Sequence, residues 1–356
     1  MGRFRSNAEL ALWIIVAAVA YFAAAEVGLR FALVGDQVTP LWPPTGVALA
    51  CLFVFGLRVW PGVTLGALVV NALLGPTLPA VLMIALGNTV APVAAYLLLK
   101  RVGFRSDFVG VRDVLELVFL GALAAMLISA TLGTVTLLVA GVVSAHAFWG
   151  AWLVWWTGDA MGVLLIAPLI LVGKGIRIPK ALSPLRAIEA AMLAVGTSVV
   201  AVSATVVSAN LLFLVFPFVT WAAMRFHLAG ALPCALIAST VAIVAVTRDF
   251  PAFSGLDLTA KMITLQAFNG SVALTALIHA TITAQRDRAR QAVDDTCTQL
   301  AQTVLTITQG RPLEGVIDTA PRLQTQPPTP GTAPSSRQFS PRQLPQTQES
   351  PGKNRG

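Results

Sequence analysis

Charge is scarce in this sequence: only 11% of its 356 residues are Asp, Glu, Lys or Arg. A soluble domain typically carries about 25% charged residues, because its surface faces water. Hydrophobic residues instead make up 56% of the chain, and the mean hydropathy is +0.78. Since so few charges cannot cover a soluble globule of this size, the composition predicts a protein whose natural solvent is a lipid bilayer.

Cysteine and histidine are also rare, with three residues of each. They are Cys51, Cys234 and Cys297, and His146, His227 and His279. They lie far apart with no CxxC pair, which argues against a disulfide framework, a metal site and a histidine-based triad. The sequence also lacks a Gly-rich phosphate loop, a Walker motif and HExxH. We therefore expect no catalytic residues, no metal and no cofactor.

Long apolar runs dominate what is present. A membrane-spanning helix needs about 20 residues at 1.5 Å per residue. The apolar segments are 9–34, 41–57, 61–76, 78–99, 114–142, 147–173, 187–208, 210–224, 228–247 and 262–282. They predict an all-α, polytopic transmembrane bundle of ten helices, or of eight if one short hairpin does not span.

The loops between these segments differ in charge, and the difference predicts an orientation. Basic residues fall in alternate loops, where Lys and Arg mark the cytoplasmic side. They include Arg3, Arg5, Arg58, Lys100, Arg101, Arg105, Arg112, Lys174, Arg177, Lys180, Arg186, Arg225, Arg286, Arg288 and Arg290. We therefore expect both termini in the cytoplasm, and we attribute the net charge of +8 to these loops rather than to nucleic-acid binding.

The chain changes character after residue 282. Val293, Leu300 and Ile307 are spaced seven residues apart within 283–310, a pattern typical of a short coiled-coil seam. The pattern fits either a dimeric signalling helix that leaves the membrane or an ordinary amphipathic helix end. Residues 311–356 are rich in Pro, Gln, Ser and Thr and are expected to be disordered.

Asp159 is the strongest candidate for a functional site. Trp149, Trp152, Trp156 and Asp159 follow spacings of 3, 4 and 3, so they share one helix face. Asp159 lies roughly 15 Å deeper than Trp149, near the bilayer centre. A carboxylate there costs about 2.5–3.5 kcal/mol, so it needs a partner or water. This pattern predicts a ligand or proton site beside Trp156, with the outer tryptophans at the interface.

Glu26 is a second carboxylate within an apolar segment. Arg30 follows four residues later on the same helix face, so the two side chains can form an ion pair that reaches outward. In the alternative interpretation, Glu26 lines the same cavity as Asp159.

The segment that opens the second helix contains Trp42, Pro43, Pro44 and Gly46. Proline suits a first helical turn, because its missing N–H would be unpaired there anyway. We expect Trp42 to anchor this end at the outer interface. The free amides of the first turn would then be available to an anionic group.

Two amides, Asn71 and Asn88, fall inside apolar segments and need partners in lipid. Hydrogen bonding between helices is the preferred explanation for Asn71. The full set of candidate ligand or proton-site residues is Glu26, Trp42, Asn88, Trp156 and Asp159.

Several stretches act together as a recognisable pattern. They are 41–48 (LWPPTGVA), 56–62 (GLRVWPG), 152–168 (WLVWWTGDAMGVLLIAP) and 216–225 (FPFVTWAAMR). The combination resembles the first-described class of the membrane-associated sensor (MASE) family, over a domain of about 9–282. The structural motif residues are Pro43, Pro44, Gly46, Asn71, Gly158 and Pro168.

The resemblance implies an input module of the bacterial inner membrane. Such modules usually precede histidine kinase, PAS or diguanylate cyclase domains and pass a signal down their last helix. No kinase box and no Gly-Gly-Asp-Glu-Phe motif occurs here. We therefore expect either a separately encoded histidine kinase or diguanylate cyclase as partner of a homodimeric sensor, or a truncated relic.

Two other functions fit the sequence. A secondary transporter would use the carboxylates of Glu26 and Asp159 and the short, Pro-interrupted helices at 41–57 and 210–224. A membrane-embedded enzyme is disfavoured, since no nucleophile or metal cluster accompanies the carboxylates.

Overall fold

The computed structural model describes residues 7–31, 39–74, 77–175, 184–207 and 211–308. The chain divides into two compact units, 1–294 and 295–356. The second unit is described only as far as residue 308, where it is helical. The predicted disordered tail, 311–356, lies outside the described residues, as do residues 309 and 310 of the predicted signalling helix.

Helices form the architecture of the described chain. They are α1 (Asn7–Leu29), α2 (Pro43–Phe55), α3 (Trp60–Leu74), α4 (Leu78–Val102), α5 (Val111–Glu116), α6 (Met126–Val139), α7 (Phe148–Met161), α8 (Ala167–Gly175), α9 (Pro184–Val206), α10 (Phe216–Thr247) and α11 (Leu258–Thr308). A π-helical turn, Leu117–Ala124, joins α5 to α6, and a second, Gly162–Ile166, joins α7 to α8.

Eight helical runs in the described residues are long and apolar enough to cross a bilayer. Their outer faces carry large exposed apolar side chains, among them Leu73, Val139 and Leu185. Lipid is the solvent that such a surface requires. The protein is therefore a polytopic helical membrane protein.

The run that contains α10 holds two of the ten predicted segments. His227 breaks it, with a φ of 52° and a ψ of −142°. Arg225, just before the break, pairs with Glu189 near the start of α9. Ala252, after α10, donates its N–H to the carbonyl of Thr205 near the end of α9. Earlier in the run, Phe218 lies against Gly196, about two turns along α9 from Glu189. The chain therefore runs towards the start of α9 before His227 and back along α9 after it, since Glu189 and Thr205 are roughly 24 Å apart. The run is thus a helical hairpin.

α2 is the central element of the first half of the bundle. All residues from Pro43 to Leu52 are buried. Its 13 residues span only about 20 Å, less than the roughly 30 Å of a bilayer core. The N–H of Trp42, which precedes α2, donates to the carbonyl of Gly158 over 3.0 Å. Gly158 lies near the middle of the helical run Ala145–Lys174, so α2 begins inside the bundle.

Residues 39–42 enter the bundle as non-helical chain, and we call them the re-entrant segment. Thr39 and Leu41 are 3% and 5% exposed. Such backbone is tolerated at membrane depth only where protein surrounds it. The prediction that Trp42 anchors the helix at the outer interface is therefore wrong, because its backbone lies beside Gly158 in the protein interior.

Two glycines make room for this close approach. A Cβ atom on Gly162 would lie 2.1 Å from the carbonyl oxygen of Trp42, and one on Gly158 would lie 2.2 Å from that of Thr39. No side chain fits at those distances. We call the helical run Ala145–Lys174 the tryptophan-rich helix. Its small residues Gly158 and Gly162 form the groove that accepts the re-entrant segment.

The two prolines allow the first turn of α2 to be buried. Neither Pro43 nor Pro44 has an N–H, so two donors that would lack partners are missing from the start. The next N–H, of Thr45, donates to the carbonyl of Trp42 over 3.3 Å. The prediction of free amides for an anionic group is therefore wrong for these positions.

Candidate functional site

Asp159 is 1% exposed, and both of its carboxylate oxygens accept hydrogen bonds. Thr45 donates to Oδ1 over 2.5 Å from the first turn of α2. Ser129 donates to Oδ2 from α6. Both donors are neutral hydroxyls, so the carboxylate joins three parts of the bundle through hydrogen bonds alone. We call Asp159, Thr45 and Ser129 the Asp159 cluster.

A small cavity of about 20 Å³ lies against the cluster. This is room for about one water molecule. Its walls are Thr39, Trp42, Val70, Asn71, Leu74, Asn88, Trp155 and Asp159. In this conformation the cavity suits a water molecule, a proton or a small ion, and it is too small for an organic ligand.

Two polar groups near the cavity need a partner. Oδ1 of Asn88 and the hydroxyl of Tyr21 are buried and form no hydrogen bond among the described residues. The hydroxyl of Tyr21 lies close enough to the side chains of Trp42 and Asn88 to interact with both, although not in hydrogen-bonding geometry, and it is within electrostatic reach of Asp159. A buried water typically makes two to four hydrogen bonds to such groups. A water in the cavity could therefore serve as the partner of Asn88 and Tyr21.

The structure brings together Trp42, Asn71, Asn88 and Asp159 from the sequence-based candidates. Asn71 lines the cavity and donates its Nδ2 to the carbonyl of Ala67 over 2.8 Å, within its own helix. It therefore satisfies its amide locally rather than across a helix interface.

Trp156 does not line the cavity; Trp155 does. The indole N–H of Trp156 donates to the carbonyl of Leu123 over 2.8 Å, and its ring stacks on Trp152. The 3-4-3 spacing thus identifies a row of contacting tryptophans. Trp155 precedes Asp159 by four residues, which also places the two on one face.

Glu26 does not reach the cavity. It is exposed, whereas α1 buries Ala17, Tyr21 and Ala25 at intervals of four residues. Glu26 follows Ala25 directly, so it points about 100° away from the buried face. The interpretation that Glu26 shares a cavity with Asp159 is wrong. No ion pair joins it to Arg30 in the described part of the chain either.

The sequence reasoning missed Tyr21, Thr45, Ser129 and Trp155. Tyr21 interrupts a row of small residues at four-residue intervals, which is a detectable signal. Thr45 and Ser129 are hydroxyls within apolar segments. Such side chains usually bond to their own helix, so nothing in the sequence distinguished these two.

Pro168 of the motif follows the π-helical turn Gly162–Ile166. The N–H of Ala167 donates to the carbonyl of Gly162, five residues back. A proline in a regular helix clashes with the carbonyl four residues before it, and a wider turn relieves that clash. Gly162 therefore serves both this turn and the groove for the re-entrant segment.

The re-entrant segment also contacts α11. Nε2 of Gln266 donates to the carbonyl of Pro40 over 3.1 Å. Asn269, one turn further along α11, is fully buried, and neither of its side-chain polar atoms has a partner among the described residues. The segment is thus held by Thr45 and Asp159 just beyond one end and by α11 within it.

Metal binding has no support in the described residues, where no three His, Cys, Asp or Glu side chains form a group that could hold an ion.

No curated protein and no solved structure matches the chain. The MASE1 family model matches residues 13–286. This range includes the re-entrant segment, the Asp159 cluster and the membrane part of α11. The chain therefore belongs to the MASE1 family, whose members are membrane sensor input domains of signalling proteins.

Proposed function

We propose that this protein is a sensory input protein of the bacterial inner membrane, with both termini in the cytoplasm. It registers a change at the Asp159 cluster and relays it through α11 to a signalling output. Membership of the MASE1 family supports the sensory role. The observation that carries the relay is the hydrogen bond from Gln266 of α11 to Pro40.

The relay depends on a short stretch of chain. Pro40 and Thr45 are five residues apart, and Pro43 and Pro44 between them restrict the backbone. Thr45 is bonded to Asp159, and Pro40 is bonded to Gln266. A shift at the carboxylate therefore moves the carbonyl that Gln266 uses.

A proton is the smallest change that would act in this way. A carboxylate accepts hydrogen bonds on both oxygens, whereas its protonated form carries one donor. Protonating Asp159 would thus require the hydroxyl of Thr45 or of Ser129 to turn from donor to acceptor, or would break that hydrogen bond. Entry or loss of a water in the cavity would change the same contacts.

Buried polar groups without partners favour a second packing arrangement of α11. Both polar atoms of Asn269 and the Oε1 of Gln266 are buried without a partner in the described residues. Each such group costs about 1–3 kcal/mol. A stimulus changes the populations of two conformations by its differential affinity for them. Because unsatisfied groups raise the free energy of the present packing of α11, a small difference in affinity is enough to change the populations.

Output would pass through the far part of α11, as a homodimer. Val293, Leu300, Val304 and Ile307 are each 59–61% exposed. A second copy of this helix would cover the row by coiled-coil packing. The output that this helix would control is a histidine kinase or a diguanylate cyclase.

A chimera tests the proposal. The chain to residue 309 is fused to a histidine kinase output, and Asp159→Asn is compared with Glu26→Gln. Both remove a carboxylate within the membrane helices, but only Asp159 belongs to the cluster. We expect Asp159→Asn to fix the output in one state and Glu26→Gln to respond normally. An Asp159→Asn chimera that responds normally to all stimuli would contradict the site.

Secondary transport is the second candidate, because α2 begins beside a buried carboxylate, as the broken helices of transporters do. Proteoliposomes distinguish the two functions. Substrate uptake that Asp159→Asn abolishes and Glu26→Gln preserves would favour transport.

A further inference from the structure

A large pocket lies away from the Asp159 cluster, at the end of the bundle that carries most basic side chains. Its volume is about 740 Å³. Small-molecule sites usually enclose about 300–1,000 Å³. We call it the basic-end pocket and define it by Asp107, Phe108, Lys174, Phe226, His227 and Arg288. These residues come from the α4–α5 loop, α8, the turn of the α10 hairpin and α11.

The charges in the pocket favour an anion. Asp287 of α11 also faces it, but His227 and Arg286 already hold that carboxylate at 3.1 and 3.3 Å. Lys174 has no partner in the described part of the chain. Within the described residues Arg288 makes a single long contact, of 3.4 Å, with the carbonyl of Val109. Among the lining residues Asp107 and Asp287 balance Lys174 and Arg288, and Arg286, which pairs with Asp287 from outside the lining, adds one positive charge.

The apolar side chains that line the pocket favour a ligand that also has a hydrophobic or aromatic part. Phe108 is 1% exposed, and Phe226 is half-buried. Leu171 and Leu228 complete the apolar lining. A ligand with one anionic group and a hydrophobic or aromatic part would match both the cations and these walls.

Backbone strain is concentrated at this pocket. Three non-glycine residues of the described chain have a positive φ, and two of them, Phe108 at 49° and His227 at 52°, line the pocket. For Phe108 this conformation is an outlier, and His227 combines it with a ψ of −142°, which lies outside the usual left-handed region. Strained residues persist where the surrounding structure holds them, and they gather at ligand sites.

We propose that the basic-end pocket binds an organic anion with an apolar body. Its carboxylate or phosphate lies between Lys174 and Arg288, and its apolar part packs on Phe108 and Phe226. The source is either a soluble anion or an anionic lipid of the adjacent leaflet. Binding would act on α11 directly through Arg288, without the Asp159 cluster, so it goes beyond the proposed function and does not depend on it.

Binding is tested on the full chain in phosphatidylcholine nanodiscs. Phenyl phosphate is the soluble probe, titrated by calorimetry. Phosphatidylglycerol, added to the nanodiscs, is the lipid probe, and bound lipid is counted by native mass spectrometry. We expect one probe to bind and thereby identify the source. If neither binds at millimolar concentration, the proposal is overturned.

Matched variants locate the site. Lys174→Gln with Arg288→Gln should weaken binding about tenfold or more, the loss expected for a charge-assisted hydrogen bond. Arg101→Gln with Arg290→Gln removes the same charge from exposed positions outside the pocket and should change little. Equal losses of affinity in the two double variants would mean that the probe is attracted to basic surface in general, and the pocket assignment would be wrong.

Filling the pocket gives a second test that leaves the charges in place. Ala284 lines it and Ala289 does not. Ala284→Trp should abolish binding while Ala289→Trp binds normally. Normal binding by Ala284→Trp in a folded protein would overturn the proposal.

Discussion

Thr45 and Asp159 are joined by a 2.5 Å hydrogen bond between the first turn of a buried half-length helix and the middle of the tryptophan-rich helix. The contact holds the start of α2 inside the bundle. Because the partners of this carboxylate in the described residues are neutral, its environment depends on the hydroxyls of Thr45 and Ser129, on Trp155 and on the small cavity beside it.

Removing the Thr45 hydroxyl should destabilise the protein. Thr45→Val keeps the shape of the side chain but leaves Oδ1 of Asp159 without its donor, at a cost of about 1–3 kcal/mol. Thr205→Val is the control, since that buried hydroxyl donates to the carbonyl of Val202 in its own helix. Thermal unfolding in detergent should show a lower midpoint for Thr45→Val. Equal midpoints would indicate that the contact with Asp159 adds nothing.

The groove should not tolerate a methyl group. Gly162→Ala places a Cβ 2.1 Å from the carbonyl oxygen of Trp42, so the re-entrant segment must move. Overpacking of this kind typically costs about 1–3 kcal/mol. Gly173→Ala, whose Cβ meets nothing within 4 Å, is the matched control. The yield of folded protein and its unfolding midpoint should fall for Gly162→Ala alone.

The α10 hairpin predicts the sides of the membrane on which two positions lie. His227→Cys and Ser254→Cys, each in a background without Cys51, Cys234 and Cys297, should react with a membrane-impermeant thiol reagent from opposite sides. The charge pattern predicts that residue 227 is labelled from the cytoplasm. A residue 227 that reacts from neither side would mean that the chain does not reverse there, and labelling of both positions from one side would mean that the helix between them does not cross the membrane.

The exposed seam of α11 should mediate dimerisation. Leu300→Glu places a charge in the row that a second copy would cover, and it should shift the protein towards monomer. Gln299→Glu adds the same charge beside the row and should leave the dimer intact. Mass photometry of the full chain in detergent measures the distribution. A dimer that survives Leu300→Glu would rule out this seam.

Composition and hydropathy were sufficient to predict an all-helical membrane bundle, because lipid accepts only backbone that is satisfied internally. They could not predict the re-entrant segment at 39–42. An extended stretch at membrane depth depends on Gly158 and Gly162, which are distant in sequence. Periodicity placed the whole of 41–57 as one segment and Trp42 at its outer end.

The candidate site was predictable at Asp159, because a carboxylate in an apolar helix is costly wherever it faces lipid. Its partners were not. Helical spacing gives a direction for a side chain but does not show which neighbour receives it, and so it selected Trp156 over Trp155. For Glu26, the direction of the side chain follows from the row of buried residues on α1. The rest of α1 is nearly as apolar as that row, so the sequence does not reveal which face is buried.

The glycines that form the groove are encoded far downstream of the re-entrant segment, and this has a consequence for membrane insertion. Thr45 and its partner Asp159 are separated by 114 positions, so α2 leaves the ribosome long before the glycines that receive it. A half-length helix with a buried start has no stable place in bare lipid. The start of α2 can therefore reach its final place only after the tryptophan-rich helix has been made, although α1 and α4, which also pack on α2, are available earlier.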